Sequence, residues 1–390
     1  MEHRIIMRNL DIGLILLVIA GFILQGCAGA KPVTPSGVMD NPGHHVFTGM
    51  KFLDRNELDK ALEEFNRAKE LDKKYPPAYV GTGLALGAKG DFKGAFKEMD
   101  KGIDLAESPA DRDLAHTGMI RLYTAQGEED WLESAEKEFI KALKADPGSS
   151  EAHFFMAEAY KKAYVFDKAG EMYKKVLDIN KDYISQADEG WKLTQKIQRA
   201  APGTKIGKKI ALVGQITRAD VAALFVEEME LEKVFKKKRL IAEGAEFRTP
   251  QEAEVSPRAG TQPLPEDVVQ HPLKADIGTV LTLHIRGLEP FDDKTFKPDE
   301  PITRANYALM IEDILARVLG DESLTRKYLD SASPFPDVRP DHYAFNAIMV
   351  CTTRDIIQAE LDGTFGLGKP VSGADALLII RRLKEELRIF

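Results

Sequence analysis

The chain has 390 residues, 44% of them apolar, and a formal net charge of −8 at pH 7. That length accommodates two or three ordinary domains, and that apolar fraction excludes a disordered chain. The excess of carboxylates excludes duplex nucleic acid as the main partner, because neutralising phosphates needs a basic face.

At the N-terminus, Arg4 and Arg8 precede an apolar run from Ile12 to Leu24. Thirteen residues rise about 20 Å as a helix, short of a bilayer core of about 30 Å, so the run reads as a signal peptide and not as a spanning helix. It ends in Leu24-Gln25-Gly26-Cys27, followed by Ala28, Gly29 and Ala30. This resembles a bacterial lipobox, although Gln25 and Asp11 depart from its usual form. The resemblance implies removal of residues 1–26, a covalent lipid on Cys27 and, with Ala28 in place of Asp, an outer-membrane anchor facing the periplasm. Ordinary cleavage after a small residue, or an uncleaved anchor, is the alternative. Cys27 and Cys351 are the two cysteines. An acylated Cys27 therefore leaves no internal disulfide, and Cys351 in "AFNAIMVCTT" reads as a small buried hydrophobe.

After a tether over 27–41, the chain becomes periodic. Gly49 and Gly83 lie 34 residues apart, as do Ala61 and Ala95, and Ala135 and Ala169; Ala95 to Ala135 is 40. The longer step predicts an insertion of about six residues near "GEEDW", as measured against a repeat of about 34. These spacings resemble tetratricopeptide repeats and predict about four helical hairpins over 42–189, small residues allowing close approach and Phe52, Phe65 and Phe92 filling between. The resemblance implies a protein or peptide held in a concave groove, with Val46, Met50, Leu53, Val80 and Leu84 lining its early part and Glu158, Lys161 and Lys162 its late part. Packing against neighbouring helices is the other reading of these residues.

The segment 190–390 writes one pattern three times: "QITRADVAALFVEEM" from Gln215, "PITRANYALMIEDIL" from Pro301 and "PVSGADALLIIRRL" from Pro370. Thr217 with Asp220, Thr303 with Asn306 and Ser372 with Asp375 stand as N-cap and third helical residue of a capping box. Capping does not explain Arg218 or Arg304, since a cation in the first turn opposes the helix dipole. An exposed helix start plus a guanidinium is an expected anion site, with pairing to Asp220 or Glu300 as the structural alternative.

Together with "FDDKTF", "FPDV" and "LDGTF", these stretches resemble S-layer homology motifs: three in number, with a linker about 243–272 after the first. The resemblance implies a pseudo-threefold helical bundle whose grooves bind cell-wall polysaccharide or peptidoglycan, and nominates Thr217, Arg218, Thr303 and Arg304. Gly373 replaces the third Arg, so two grooves at most are expected to be competent.

The expected fold is all-α, a tetratricopeptide solenoid followed by a helical S-layer-homology-like domain. No Ser/His/Asp pattern, His-Glu-x-x-His or phosphate loop is found, so no catalysis, metal or cofactor beyond the lipid is expected. Two functions stand: an envelope scaffold with protein and wall partners, or an assembly or secretion factor whose C-terminal motifs are structural only.

Overall fold

The computed structural model describes residues 34–242 and 263–389. Among these there is no β-strand, and the extended contacts are two isolated bridges, Thr217 with Pro301 and Thr303 with Pro370. The lipobox and Cys27 lie outside the described residues, as do 243–262 of the expected linker. The chain divides into two units, 1–159 and 160–390, instead of at the expected 189/190.

The first unit is built from paired helices: α1 (Pro42–Asp54) with α2 (Leu58–Leu71), α3 (Pro76–Ala88) with α4 (Phe92–Leu105), and α5 (Pro109–Gln126) with α6 (Trp131–Ala145). Proline opens α1, α3 and α5, where its fixed φ suits the first turn and its missing N–H is not needed. Side chains close several starts: Asn41 accepts from the His44 amide at 2.9 Å, Asp91 from Gly94 at 3.0 Å and Ser108 from Asp111 at 3.0 Å. The second helix of each pair buries one narrow stripe, Ala61, Phe65 and Ala68 in α2 and Ala95, Met99 and Gly102 in α4.

Close helix approach depends on glycine facing a large side chain. A Cβ on Gly49 would stand 2.5 Å from the Phe65 ring, and one on Gly81 2.4 Å from the same ring. Phe65 thus plugs the space between its own hairpin and the next. Met99 repeats the arrangement against Gly83 and Gly118, where a Cβ would meet it at 3.2 and 2.9 Å.

The added length falls next to "GEEDW" (127–131), as expected. Helix α5 has 18 residues where α1 and α3 have 13 and ends at Gln126, so most of the extra length extends the helix up to that segment. The end of the expected tether is tied down: Asp40 accepts from the Ser36 amide at 2.6 Å and from Arg67, and His45 Nε2 lies 2.9 Å from it.

Helix α7 (Ser150–Lys162) carries the boundary between the units. In the second unit, α8 (Phe166–Ile179) packs on α9 (Ile184–Ala200), and a Gly190 Cβ would meet the Tyr173 ring at 2.4 Å. Helix α9 also packs along α16 (Gly373–Glu386), with Lys196 Nζ 2.7 Å from Asp375. This explains the early boundary: the expected capping helix of the solenoid belongs to the C-terminal core.

Between them run α10 (Lys205–Ile210), α11 (Arg218–Ala223) with a π turn over Leu224–Glu228, α12 (Leu231–Ala242), α13 (Lys274–Leu283), α14 (Arg304–Leu319) and α15 (Phe345–Thr353). Phe225, Tyr307, Phe345 and Ile380 belong to one apolar core, where Phe225 and Tyr307 stack at 6.0 Å. Cys351 is fully buried there, its Sγ 3.6 Å from the Ala308 carbonyl, and burial pushes its thiol well above the ordinary value.

Gly81→Leu should destabilise the first unit by about 1 to 3 kcal/mol or more, because the Phe65 ring has no room to retreat. Unaltered thermal unfolding of the variant would refute this packing.

Candidate functional site

The three repeated segments meet in a closed ring of backbone hydrogen bonds. The Ile216 amide donates to the Val371 carbonyl at 2.9 Å, Val371 to Ile302 at 3.1 Å, and Ile302 back to Ile216 at 3.0 Å. Each position in the ring immediately precedes a capping residue, so the three helices start around one pseudo-threefold axis.

The caps are formed as the spacing predicts. Thr217 and Asp220 make a reciprocal capping box, Thr303 Oγ1 accepts from Asn306 N at 3.3 Å, and Ser372 Oγ accepts from Asp375 N at 3.2 Å. The next amides, however, are already bonded. Arg218 N donates to Glu300 O and Arg304 N to Lys369 O, both at 3.0 Å, and Gly373 N donates to Val213 O at 2.8 Å. The exposed helix starts expected as anion sites are therefore not open: the loop before the next helix occupies them.

The Arg side chains follow the same loops. Arg218, 6% exposed, donates through Nε to Phe296 O at 2.7 Å, through Nη1 to Gly287 O at 2.7 Å and through Nη2 to Glu289 O at 2.8 Å. Its guanidinium lies over the Phe291 and Phe296 rings, each 4.7 Å away. Burial lowers its pKa, while Glu300, Glu289 and Asp267 oppose the shift. Arg304 repeats the clamp with two bonds, Nε to Phe365 O at 2.8 Å and Nη2 to Gln358 O at 2.7 Å, and its Nε lies 3.7 Å from Glu360. Neither the free anion ligand nor the pairing with Asp220 or Glu300 describes these side chains. Folded carbonyls are the acceptors, because a planar guanidinium can hold several backbone oxygens of one loop at once.

Each clamped loop is also held from its other side. Asp337 accepts from Phe365 N at 2.8 Å and Gly366 N at 2.7 Å; Asp267 does the same for Phe296 and Lys297, at 3.0 and 2.7 Å. The end of the expected linker is thus part of the second motif. Burial works against the Asp337 charge, but these amides outweigh it and hold its pKa below 3.8. This contribution to stability is present above pH 3.8 and is lost as pH falls through the lower folded value. The turns match too: Asp293 accepts from Thr295 N at 3.0 Å and Asp362 from Thr364 N at 2.9 Å, with Lys294 and Gly363 at the same positive-φ position (64° and 81°).

Gly373 has a steric cause. A Cβ there would stand 1.7 Å from Ile210 O and 2.5 Å from Ile210 C. Helix α10 fills the place that a motif loop takes at the other two corners, so no side chain fits and no Arg clamp is needed. Sequence spacing could not show this, because nothing in "IALVGQITR" marks Ile210 as the neighbour of Gly373.

In the first unit, the groove residues separate. Val80 and Leu84 are 2% and 7% exposed and pack with Ala95, Met99, Ala115 and Leu122. They are core, not groove lining, because α3 is buried along nearly its whole length, as expected of a helix apolar all round. Val46, Met50 and Leu53 are half-buried against the Phe65 cluster. Glu158 and Lys161 are half-buried and Lys162 is exposed, the two lysines closing the C-terminal turn of α7. Among the described residues, no group of His, Cys, Asp and Glu is arranged to hold a metal ion.

The S-layer homology domain model matches residues 288–308 and 334–377, the segments that carry the clamped loops and the second and third motifs. Over 114 residues the chain is 31% identical to Cell surface glycoprotein 1 of Acetivibrio thermocellus, a match covering 29% of this chain and 5% of that protein. The chain thus matches about a twentieth of the relative's length. A solved structure titled "Functional Characterization of Pseudomonas Aeruginosa pilF" is similar at 13% identity, covering 42% of this chain and 93% of that one, with a TM-score of 0.21. Among the described residues the chain is all-helical, with helical hairpins in its first unit and, in its second, the segments that the S-layer homology domain model matches.

Arg218→Gln should lower stability by at least about 2 kcal/mol, since a buried acceptor left unsatisfied costs about 1 to 3 kcal/mol. Arg304→Gln, with two carbonyls released, should cost less. Thermal unfolding of the purified variants decides; equal melting of both with the parent would show that the clamps do not stabilise the fold.

Proposed function

We propose that this chain is a non-catalytic scaffold of the cell envelope, anchored through lipid on Cys27. It engages a cell-wall polymer through its S-layer homology region and a protein segment through its helical hairpins. The observation that carries the reading is the motif ring with its two clamped loops, which coincide with the segments matched by the S-layer homology model. Similarity to a cell surface glycoprotein supports the envelope. The Arg clamps and the Asp267 and Asp337 carboxylates brace the loops between motifs from two sides, and a braced loop preorganises a surface for a stiff polymer. For the hairpins, the supporting features are the half-buried Val46, Met50 and Leu53 and the 59%-exposed Phe47 on α1.

A second reading has its own support. Because Arg218 and Arg304 are bonded to carbonyls, the alternative is that the motifs are a structural platform only, and the protein is then an accessory to envelope assembly or secretion. Sedimentation of the purified, lipid-free protein with isolated cell walls separates the two: scaffold predicts salt-sensitive co-sedimentation, platform predicts none.

The anchor has a separate test. Cys27→Ser should shift the protein from the membrane fraction to the soluble one, or leave its first 26 residues uncleaved, as read by fractionation and intact mass. Unchanged partition and mass would refute the lipid anchor.

A further inference from the structure

The residues just before α1 are held on the first hairpin by charge. Asp40 N donates to Gly37 O and Asn41 Nδ2 to Val38 O, both at 3.1 Å, and this turn brings the Asp40 carboxylate, 9% exposed, beside the start of α1. Ser36 donates to Asp40 Oδ2 through its amide at 2.6 Å and its hydroxyl at 2.9 Å. From α2, Arg67 donates Nε to Asp40 Oδ1 at 3.0 Å and Nη2 to Oδ2 at 2.5 Å. The Arg67 bonds, and after them the Ser36 amide, hold the Asp40 carboxyl far below the ordinary carboxylate range, so it stays charged in any physiological medium.

His45 closes the arrangement. Its Nε2 lies 2.9 Å from Asp40 Oδ1 and its Nδ1 2.5 Å from Glu64 Oε2, on α2 one turn before Arg67. An ionised carboxylate can only accept, so both ring nitrogens must carry hydrogen, and the ring that fits this place is the imidazolium. A neutral ring would turn a lone pair toward one of the two carboxylates. The charged and titratable groups facing His45 are Asp40 before α1, Glu64 and Arg67 on α2, and its neighbour His44, edge-on with ring centres 5.7 Å apart. Helix α3 brings no charged side chain, and its Tyr79 hydroxyl donates to Lys73 O at 2.8 Å. Burial by itself would lower the His45 pKa, but the bonds to Glu64 and Asp40 together outweigh it and raise the value above 6.5.

We propose that Ser36–Asp40 is a proton-locked strap: the imidazolium of His45 fastens it to the first hairpin, and loss of that proton in an alkaline medium loosens it. The folded form binds the proton more tightly than the unfolded one, so the lock is fully present below pH 6.5 and is lost as pH rises through the higher folded value. Asp40 then keeps Arg67 as its one charged partner. Released, the five residues of the strap lengthen the free chain before α1 by up to about 17 Å. An effect on the distance between hairpins and membrane rests on the lipid anchor proposed above; the strap itself does not.

Hydrogen–deuterium exchange of the Ser36 and Asp40 amides in the purified, lipid-free protein reads the strap directly, since both amides are bonded within it. Corrected for the intrinsic acceleration of exchange by base, their protection in the parent should fall by about threefold or more between about pH 6 and about pH 9, while the α2 amides stay protected. His45→Gln cannot be charged and should show the parent's high-pH protection at both ends of the range. Glu64→Gln leaves His45 with one carboxylate, so its transition should move to lower pH. Protection of the strap that is independent of pH in the parent overturns the proton lock, as does a transition at the parent's midpoint in both variants. The α2 amides report in the same measurement that each variant is folded. Because no lipid is needed, this outcome is separate from the Cys27→Ser test: a failed anchor leaves the strap standing, and a failed strap leaves the anchor.

Discussion

Three backbone hydrogen bonds, passed in a circle from Ile216 to Val371 to Ile302, hold the C-terminal unit together. Each bond joins segments far apart in the chain, and each fixes the residue before a helix start. Once the ring is closed, the direction of the three helices and the placement of the loops between them are set, because cap, first-turn amides and clamped loop follow within a few residues of each corner. Backbone atoms carry the closure, so side chains at these positions can differ, Ile at two corners and Val at the third.

The same geometry explains why two arginines survive and the third does not. Arg218 reaches carbonyls as many as 78 residues away, where the second motif's loop crosses its helix. Arg304 does so for the third motif. At the last corner no loop of this kind exists, and Ile210 sits against Gly373 with no space for a Cβ. Close backbone approach governs the first unit as well, where Gly49 and Gly81 admit the Phe65 ring. In both units a glycine marks where one helix touches another element, and the large residue opposite decides the spacing.

The pseudo-threefold ring makes corners of similar shape with different residues at matching positions: the Arg218 amide bonds to the Glu300 carbonyl and the Arg304 amide to the Lys369 carbonyl.

The 34-residue spacing of glycines and alanines was enough to establish helical hairpins, because the repeat period is a local property of the chain. The Thr, Thr and Ser caps were legible for the same reason: cap and partner lie three residues apart. The sequence also showed that Arg218 and Arg304 needed a compensating contact, since a cation opposes the first turn of a helix. What it could not show was the contact itself. Carbonyls of Phe296, Gly287 and Phe365 have no signature in a sequence, as every residue carries one. Burial of Val80 and Leu84, the assignment of α9 to the C-terminal core and the exclusion of a side chain at Gly373 were likewise decided by tertiary packing. Each depends on which distant backbone arrives beside the residue, and that is set by the closure of the whole unit and not by any local pattern.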